Sequence, residues 1–91
     1  GTMVPGFPNL FLLLGPNTGL AHGGNAIFVT ECQLRLVMRA VGAMLDRSSR
    51  SIAVDRQAHD SYVAEVDRLH AGMVWTSPGV RSWYRNAAGR V

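Results

Sequence analysis

Residues 7–22 read Phe-Pro-Asn-Leu-Phe-Leu-Leu-Leu-Gly-Pro-Asn-Thr-Gly-Leu-Ala-His. Leu10–Leu14 is continuously apolar. A strand with two apolar faces is normally an interior strand of a parallel sheet, covered by helices on both sides. Gly15-Pro16-Asn17-Thr18-Gly19 breaks the run. A long helical pattern follows. Strand, turn and helix in that order are how a dinucleotide-binding sheet presents the start of a helix to a cofactor.

Working outward, Pro5 and Pro8 predict an extended entry, because each pushes its predecessor out of the helical region. From about Asn25 to Asp46, residues Ile27, Cys32, Leu34, Val37, Met38, Val41, Met44 and Leu45 fall near helical spacing. Arg35, Arg39 and Asp46 mark the other face. Arg47–Ser51 is a polar loop, and Ile52-Ala53-Val54 predicts a short strand. Asp55 suits the N-cap of a second helix over about 56–71. Its stripe is Tyr62, Val63, Val66 and Leu69, and Gly72 suits the residue after its end. Met73-Val74-Trp75-Thr76 reads as extended, and Ser77-Pro78-Gly79 as a turn. The tail is aromatic and basic.

The order predicts an α/β fold: strand, long helix, short strand, helix, irregular aromatic tail. It is a partial dinucleotide-binding-type unit, a single partial domain over 1–91. One strand leaves two hydrogen-bonding edges and two apolar faces unmet. The expectation is a homo-oligomer or docking on another polypeptide.

With 91 residues, such a chain buries roughly 60–65% of the surface it exposes when unfolded. The net charge of +3 is carried by arginine alone. The arginines alternate with acids at 46, 55, 60, 65 and 67. They form no patch, so no nucleic-acid footprint is read. The single cysteine, Cys32, excludes an internal disulfide and fits a cytoplasmic chain. It reads as a buried structural thiol. Leu10–Leu14 is far short of the ~18 apolar residues of a membrane span. No basic leader precedes it, so no signal peptide is read. Gly1-Thr2 before Met3 reads as an expression scar. Met3 then begins a short reading frame, the alternative being a trimmed piece of a longer chain.

His59 and His70 lie three helical turns apart, ~16 Å along an axis, too far for one metal. His22 is isolated among glycines. No nucleophile has a base beside it, and nothing pairs Glu31 with Glu65. No catalytic residue and no metal ligand is assigned. Two readings of the 15–19 turn stay open. It faces a ligand with free N–H groups and small residues, or it simply joins strand to helix.

Phe7-Pro8-Asn9-Leu10-Phe11, then Gly15-Pro16-Asn17-Thr18, resembles the C-terminal segment of flavin-containing monooxygenases of Baeyer–Villiger type. Glu31 and Gln33, Val74-Trp75, Ser82-Trp83-Tyr84 and Gly89-Arg90 are similar to later words of that family. They come in the same order and at similar spacings, over almost the whole chain. The resemblance implies FAD and NADPH as cofactors. It implies oxygen insertion beside a ketone or oxidation of a soft heteroatom. Gly15, Pro16, Asn17 and Thr18 become flavin-side candidates. Trp83, otherwise an ordinary packed aromatic, becomes a candidate near the nicotinamide and substrate, with Tyr84 and Arg85 behind it.

The departures carry weight. Neither Gly-x-Gly-x-x-Gly word of the family is present. The Phe-x-Gly-x-x-x-His word is absent, as is the arginine that sits near the flavin. Gly23-Gly24 stands where relatives more often carry a small polar residue. The resemblance therefore implies a truncated product or fragment without turnover of its own. The rivals are an oligomeric structural or interaction module that binds no cofactor, and a subunit complementing a separately encoded upstream monooxygenase half.

Overall fold

A computed structural model describes residues 1–19 and 25–90. His22 and Gly23-Gly24 lie outside the described residues. The chain forms two compact units, Gly1–Arg56 and Gln57–Val91. Helix α1 spans Ala26–Asp46 and α2 spans Arg56–His70; a single 3-10 turn covers Val74–Thr76.

Helix α1 starts where a residue able to cap it occurs. Asn25 is extended (φ −120°, ψ 126°), and its side chain accepts the Ile27 N–H at 2.8 Å. That satisfies one of the donors a helix start leaves unpaired. The other end closes in a Schellman motif. Ser48 takes a left-handed φ of +51°. The Ser48 N–H reaches Leu45 O at 3.1 Å, and the Ser49 N–H reaches Met44 O at 2.9 Å.

No strand occurs among the described residues, so the chain is not the expected α/β dinucleotide-binding unit. A strand exists only as one side of a ladder, and Leu10–Leu14 has no second strand. Its amides bond elsewhere. The Leu12 N–H donates to Thr2 O at 2.8 Å, and the Leu14 N–H to the Gln33 side chain. Asn9 (φ +62°) and Leu14 (φ +52°) are both left-handed, which interrupts extended geometry at either end of the run. Residues 52–54 are not a strand either. Ile52 pairs with Asn9 alone: its N–H donates to Asn9 Oδ1 at 2.9 Å, and its carbonyl accepts the Asn9 N–H at 2.9 Å.

One further expectation is corrected. Val74–Thr76 is not extended, although Met73 is (φ −94°, ψ 155°). The Thr76 N–H returns to Met73 O and the Ser77 N–H to Val74 O, each at 3.1 Å, in a 3-10 turn. The Thr76 hydroxyl shares its proton between His70 O at 2.8 Å and Met73 O at 2.7 Å. Gly72 stands at the C′ position of α2 as expected, its N–H returning to Leu69 O at 3.4 Å, but without a left-handed φ; among the described residues the positive-φ glycines are Gly6, Gly79 and Gly89.

All four prolines share one local geometry. In Val4–Phe7, Phe7–Leu10, Gly15–Thr18 and Ser77–Val80, the fourth N–H returns to the first carbonyl at 3.2–3.4 Å. Proline is second each time. The third residue is Gly6, Asn9, Asn17 or Gly79, all with φ between +61° and +84°. Proline followed by glycine or asparagine with positive φ is the type II turn signature. Pro5 and Pro8 therefore build turns where an extended entry was expected.

Among the described residues no hydrophobic side chain is buried; Gln33, 6% exposed, is the one buried residue. The covered face of α1 carries Val29, Gln33, Val37, Ala40 and Met44. Cys32 is exposed, so it is not the buried thiol expected. Of the expected stripe, Ile27, Leu34, Met38, Val41 and Leu45 are also exposed, Leu45 at 75%. The Gln33 hydrogen bonds to Leu14 and Thr2 fix the inward face, and that face is rotated away from the most apolar one. On α2, Val63 and Val66 are half-buried with His59 and His70, whereas Tyr62 and Leu69 are exposed.

Candidate functional site

In the first unit, Gly15, Pro16, Asn17 and Thr18 are brought together in one type II turn. The Gly15 carbonyl accepts the Thr18 N–H at 3.2 Å and Thr18 Oγ1 at 2.6 Å. Pro16 presets the second position. Asn17 supplies the left-handed third, a conformation that asparagine tolerates better than most residues. The Pro16 carbonyl accepts the Gly1 amino group, which burial holds below its ordinary pKa. Asn17 is exposed. Among the described residues, its N–H and its side-chain amide have no hydrogen-bond partner.

Gly15 sits against the first residue of the chain. A Cβ there would run into the Gly1 carbonyl and come within 3.1 Å of Leu12 Cβ. The turn is also separate from the start of the helix: the cap of α1 is Asn25, not the turn.

Two side-chain amides hold the segment that leads into this turn. Gln33 Oε1 accepts the Leu14 N–H at 2.9 Å, and Gln33 Nε2 donates to Thr2 Oγ1 at 3.0 Å. Asn9 Oδ1 accepts the Ile52 N–H, and Asn9 Nδ2 donates to Arg50 O at 3.2 Å. Sequence reasoning missed both roles. The available signals were Asn9 after a proline and Gln33 at helical spacing from Val29 and Val37.

In the second unit, Trp75, Trp83 and Tyr84 form an aromatic chain. The Trp75–Tyr84 ring centroids are 5.5 Å apart, and those of Trp83 and Tyr84 5.3 Å. Such tilted spacings are attractive for aromatic pairs. Trp83 is nevertheless 90% exposed. It is not a packed aromatic in this chain.

The tail beyond it is tied down by Asn86. Its Oδ1 accepts the Ala88 N–H at 2.9 Å and the Arg90 N–H at 3.1 Å. Arg85 Nε donates to Gly89 O at 3.2 Å, and Arg90 pairs with Asp67 at 2.8 Å. On α2, Arg68 donates to both Glu65 oxygens, at 2.7 and 2.6 Å. Those bonds hold the Glu65 carboxyl below its ordinary pKa and push the Arg68 guanidinium up.

Among the described residues, no group of His, Cys, Asp or Glu is placed to hold a metal ion. No described helix is long and apolar enough to cross a membrane.

Comparison with known proteins gives relatives for the whole chain. It is 34% identical over 91 residues to an uncharacterized monooxygenase of Sinorhizobium fredii, covering 100% of this chain and 14% of that protein. It is 38% identical over 84 residues to a Baeyer–Villiger monooxygenase of Pseudomonas aeruginosa, covering 92% of this chain and 16% of that protein. An FAD-binding monooxygenase of Aspergillus niger is 28% identical over 95 residues, covering 100% of this chain and 16% of that protein. The chain thus spans about a seventh of the length of the first of these relatives. No protein-family model matches it. No solved structure matches it significantly.

Proposed function

Because this chain is homologous along its length to a segment of the monooxygenases of Baeyer–Villiger type, we propose that it supplies the flavin-side turn of an FAD- and NADPH-dependent monooxygenase. In that reading it also supplies one wall of the nicotinamide and substrate pocket. The observation that carries the reading is the Gly15–Thr18 turn, closed on itself with Asn17 held outward in a left-handed conformation. An exposed N–H and a side-chain amide there suit the carbonyl acceptors at the pyrimidine edge of a flavin. Gly15 keeps the turn free of a side chain on its crowded side.

FAD, when bound, supplies the chemistry with NADPH and O2 that puts oxygen beside a ketone or on a soft heteroatom. This chain's residues bind and shield. Asn17 donates hydrogen bonds, Gly15 and Pro16 fix where that donor points, and Thr18 locks the turn. Trp83 offers an apolar face that excludes water from a pocket completed by other parts of the protein. No side chain here is given a proton to move. The 91-residue chain alone does not turn over.

The test is a titration of the purified chain with FAD, followed by flavin fluorescence. Saturable binding that weakens in Asn17→Gly, which keeps the backbone conformation and removes only the side-chain amide, supports the reading. No binding at high micromolar FAD refutes it for this chain.

A second reading has its own observation. The exposed apolar face of α1 (Ile27, Leu34, Met38, Leu45) fits an oligomeric structural module that binds no cofactor. A subunit that complements a separately encoded monooxygenase half presents the same face to that half. Concentration-dependent self-association without FAD binding favours the module, and FAD binding only with an upstream half favours the complementing subunit.

A further inference from the structure

We propose that Gln33 is a positioning residue for the Gly15–Thr18 turn, acting through Leu14; the proposal rests on the reading of that turn as a flavin element. Three observations meet at Gln33. It is the one buried residue among those described, although it is polar. Its side-chain amide is used at both ends, by Leu14 and by Thr2. It binds a backbone amide whose own residue is in an unfavourable conformation.

Leu14 sits at φ +52°. A leucine rarely adopts that region, because its Cβ crowds the backbone there. Such a conformation persists only when its surroundings over-determine it. Here one such restraint is the Gln33 carbonyl, 2.9 Å from the Leu14 nitrogen, with the Leu12 N–H held by Thr2 O on one side and the Pro16 carbonyl held by the Gly1 amino group on the other.

Leu14 is the residue before Gly15. Rotation at Leu14 swings the Gly15 peptide, and the Gly15 carbonyl is the acceptor that closes the turn on Thr18. The direction in which Asn17 points is therefore set in part from α1, through Gln33 and Leu14, beside the Gly1 amino group on the Pro16 carbonyl. Gln33 need not touch the ligand to control its binding.

The test uses the 15N-labelled chain titrated with FAD, as wild type, Gln33→Met and Gln33→Glu. Methionine matches the length of glutamine without its hydrogen-bonding atoms, and glutamate keeps an acceptor. FAD is expected to move the Asn17 and Thr18 amide resonances of the wild type. Gln33→Met is expected to weaken binding by about tenfold and to speed Leu14 amide exchange by about tenfold, while Gln33→Glu stays within about threefold. Leu14→Gly, which accepts a left-handed φ without help, is expected to restore binding to the Gln33→Met chain.

Two outcomes overturn the proposal alone: Gln33→Met binding as the wild type does, or Leu14→Gly failing to rescue a folded Gln33→Met chain. Failure of FAD to move either turn resonance in the wild type overturns the flavin reading, and the positioning role falls with it.

Discussion

The Gln33 side-chain carbonyl lies 2.9 Å from the Leu14 nitrogen, on the covered face of α1. One hydrogen bond thereby joins a helix to a residue that has left the extended region (φ +52°). It stands where a neighbouring strand would have supplied a backbone carbonyl.

Asn9 carries the matching load at the other end of the run. Asn9→Ala removes both side-chain bonds to the 50–52 loop and places a β-carbon residue without asparagine's tolerance at φ +62°. Exchange of the Ile52 amide is expected to rise by about tenfold or more, measured by NMR. Asn9→Gly keeps the backbone but loses the same bonds, and is expected to give a smaller rise.

Ser48 is a residue this site tolerates rather than prefers. It sits left-handed at the position where glycine usually ends a Schellman motif. Ser48→Gly is expected to slow Ser49 amide exchange several-fold, equivalent to about 1 kcal/mol of local stability. Unchanged or faster exchange shows that this φ costs serine nothing here.

The Glu65–Arg68 pair sets a local pH dependence. The folded carboxyl titrates below its ordinary value because Arg68 donates to both oxygens. The pair's contribution is therefore fully present above the ordinary carboxylate range and is lost as pH falls through the lowered folded value. A carbon-detected titration is expected to find the Glu65 midpoint below that range. Arg68→Gln is expected to return it there, and added salt to narrow the difference, since both groups are at the surface.

Two of the ties on the tail differ in strength. Asn86→Ala removes the acceptor shared by Ala88 and Arg90, and exchange of the Arg90 amide is expected to rise by about tenfold. Asp67→Asn breaks only a surface ion pair, and the expected change is within about threefold.

Both helices were readable because a period near 3.6 is a property of one segment. Asn25 and the residues around His70 mark their ends locally. The Leu10–Leu14 strand was not readable in the same way, since a strand depends on what lies beside it. Among the described residues the Gln33 side chain and the Thr2 carbonyl take its amides, and the run bends at Asn9 and Leu14. The apolar stripe on α1 failed for a related reason: Gln33, a residue normally read as surface, chose the inward face. At the candidate site the Pro16-Asn17 turn was legible from residue type. Its clamp by Gln33, nineteen positions away, was not.

The rule that governs the interior of unit Gly1–Arg56 has a calorimetric consequence. Among its described residues the one buried side chain is an amide, and no hydrophobic residue is buried. The heat capacity gained on unfolding comes mainly from apolar surface meeting water, while polar exposure lowers it. Heating this chain should therefore give a shallow excess-heat profile with little curvature. Its order should be lost piecemeal, hydrogen bond by hydrogen bond, and not in one sharp peak.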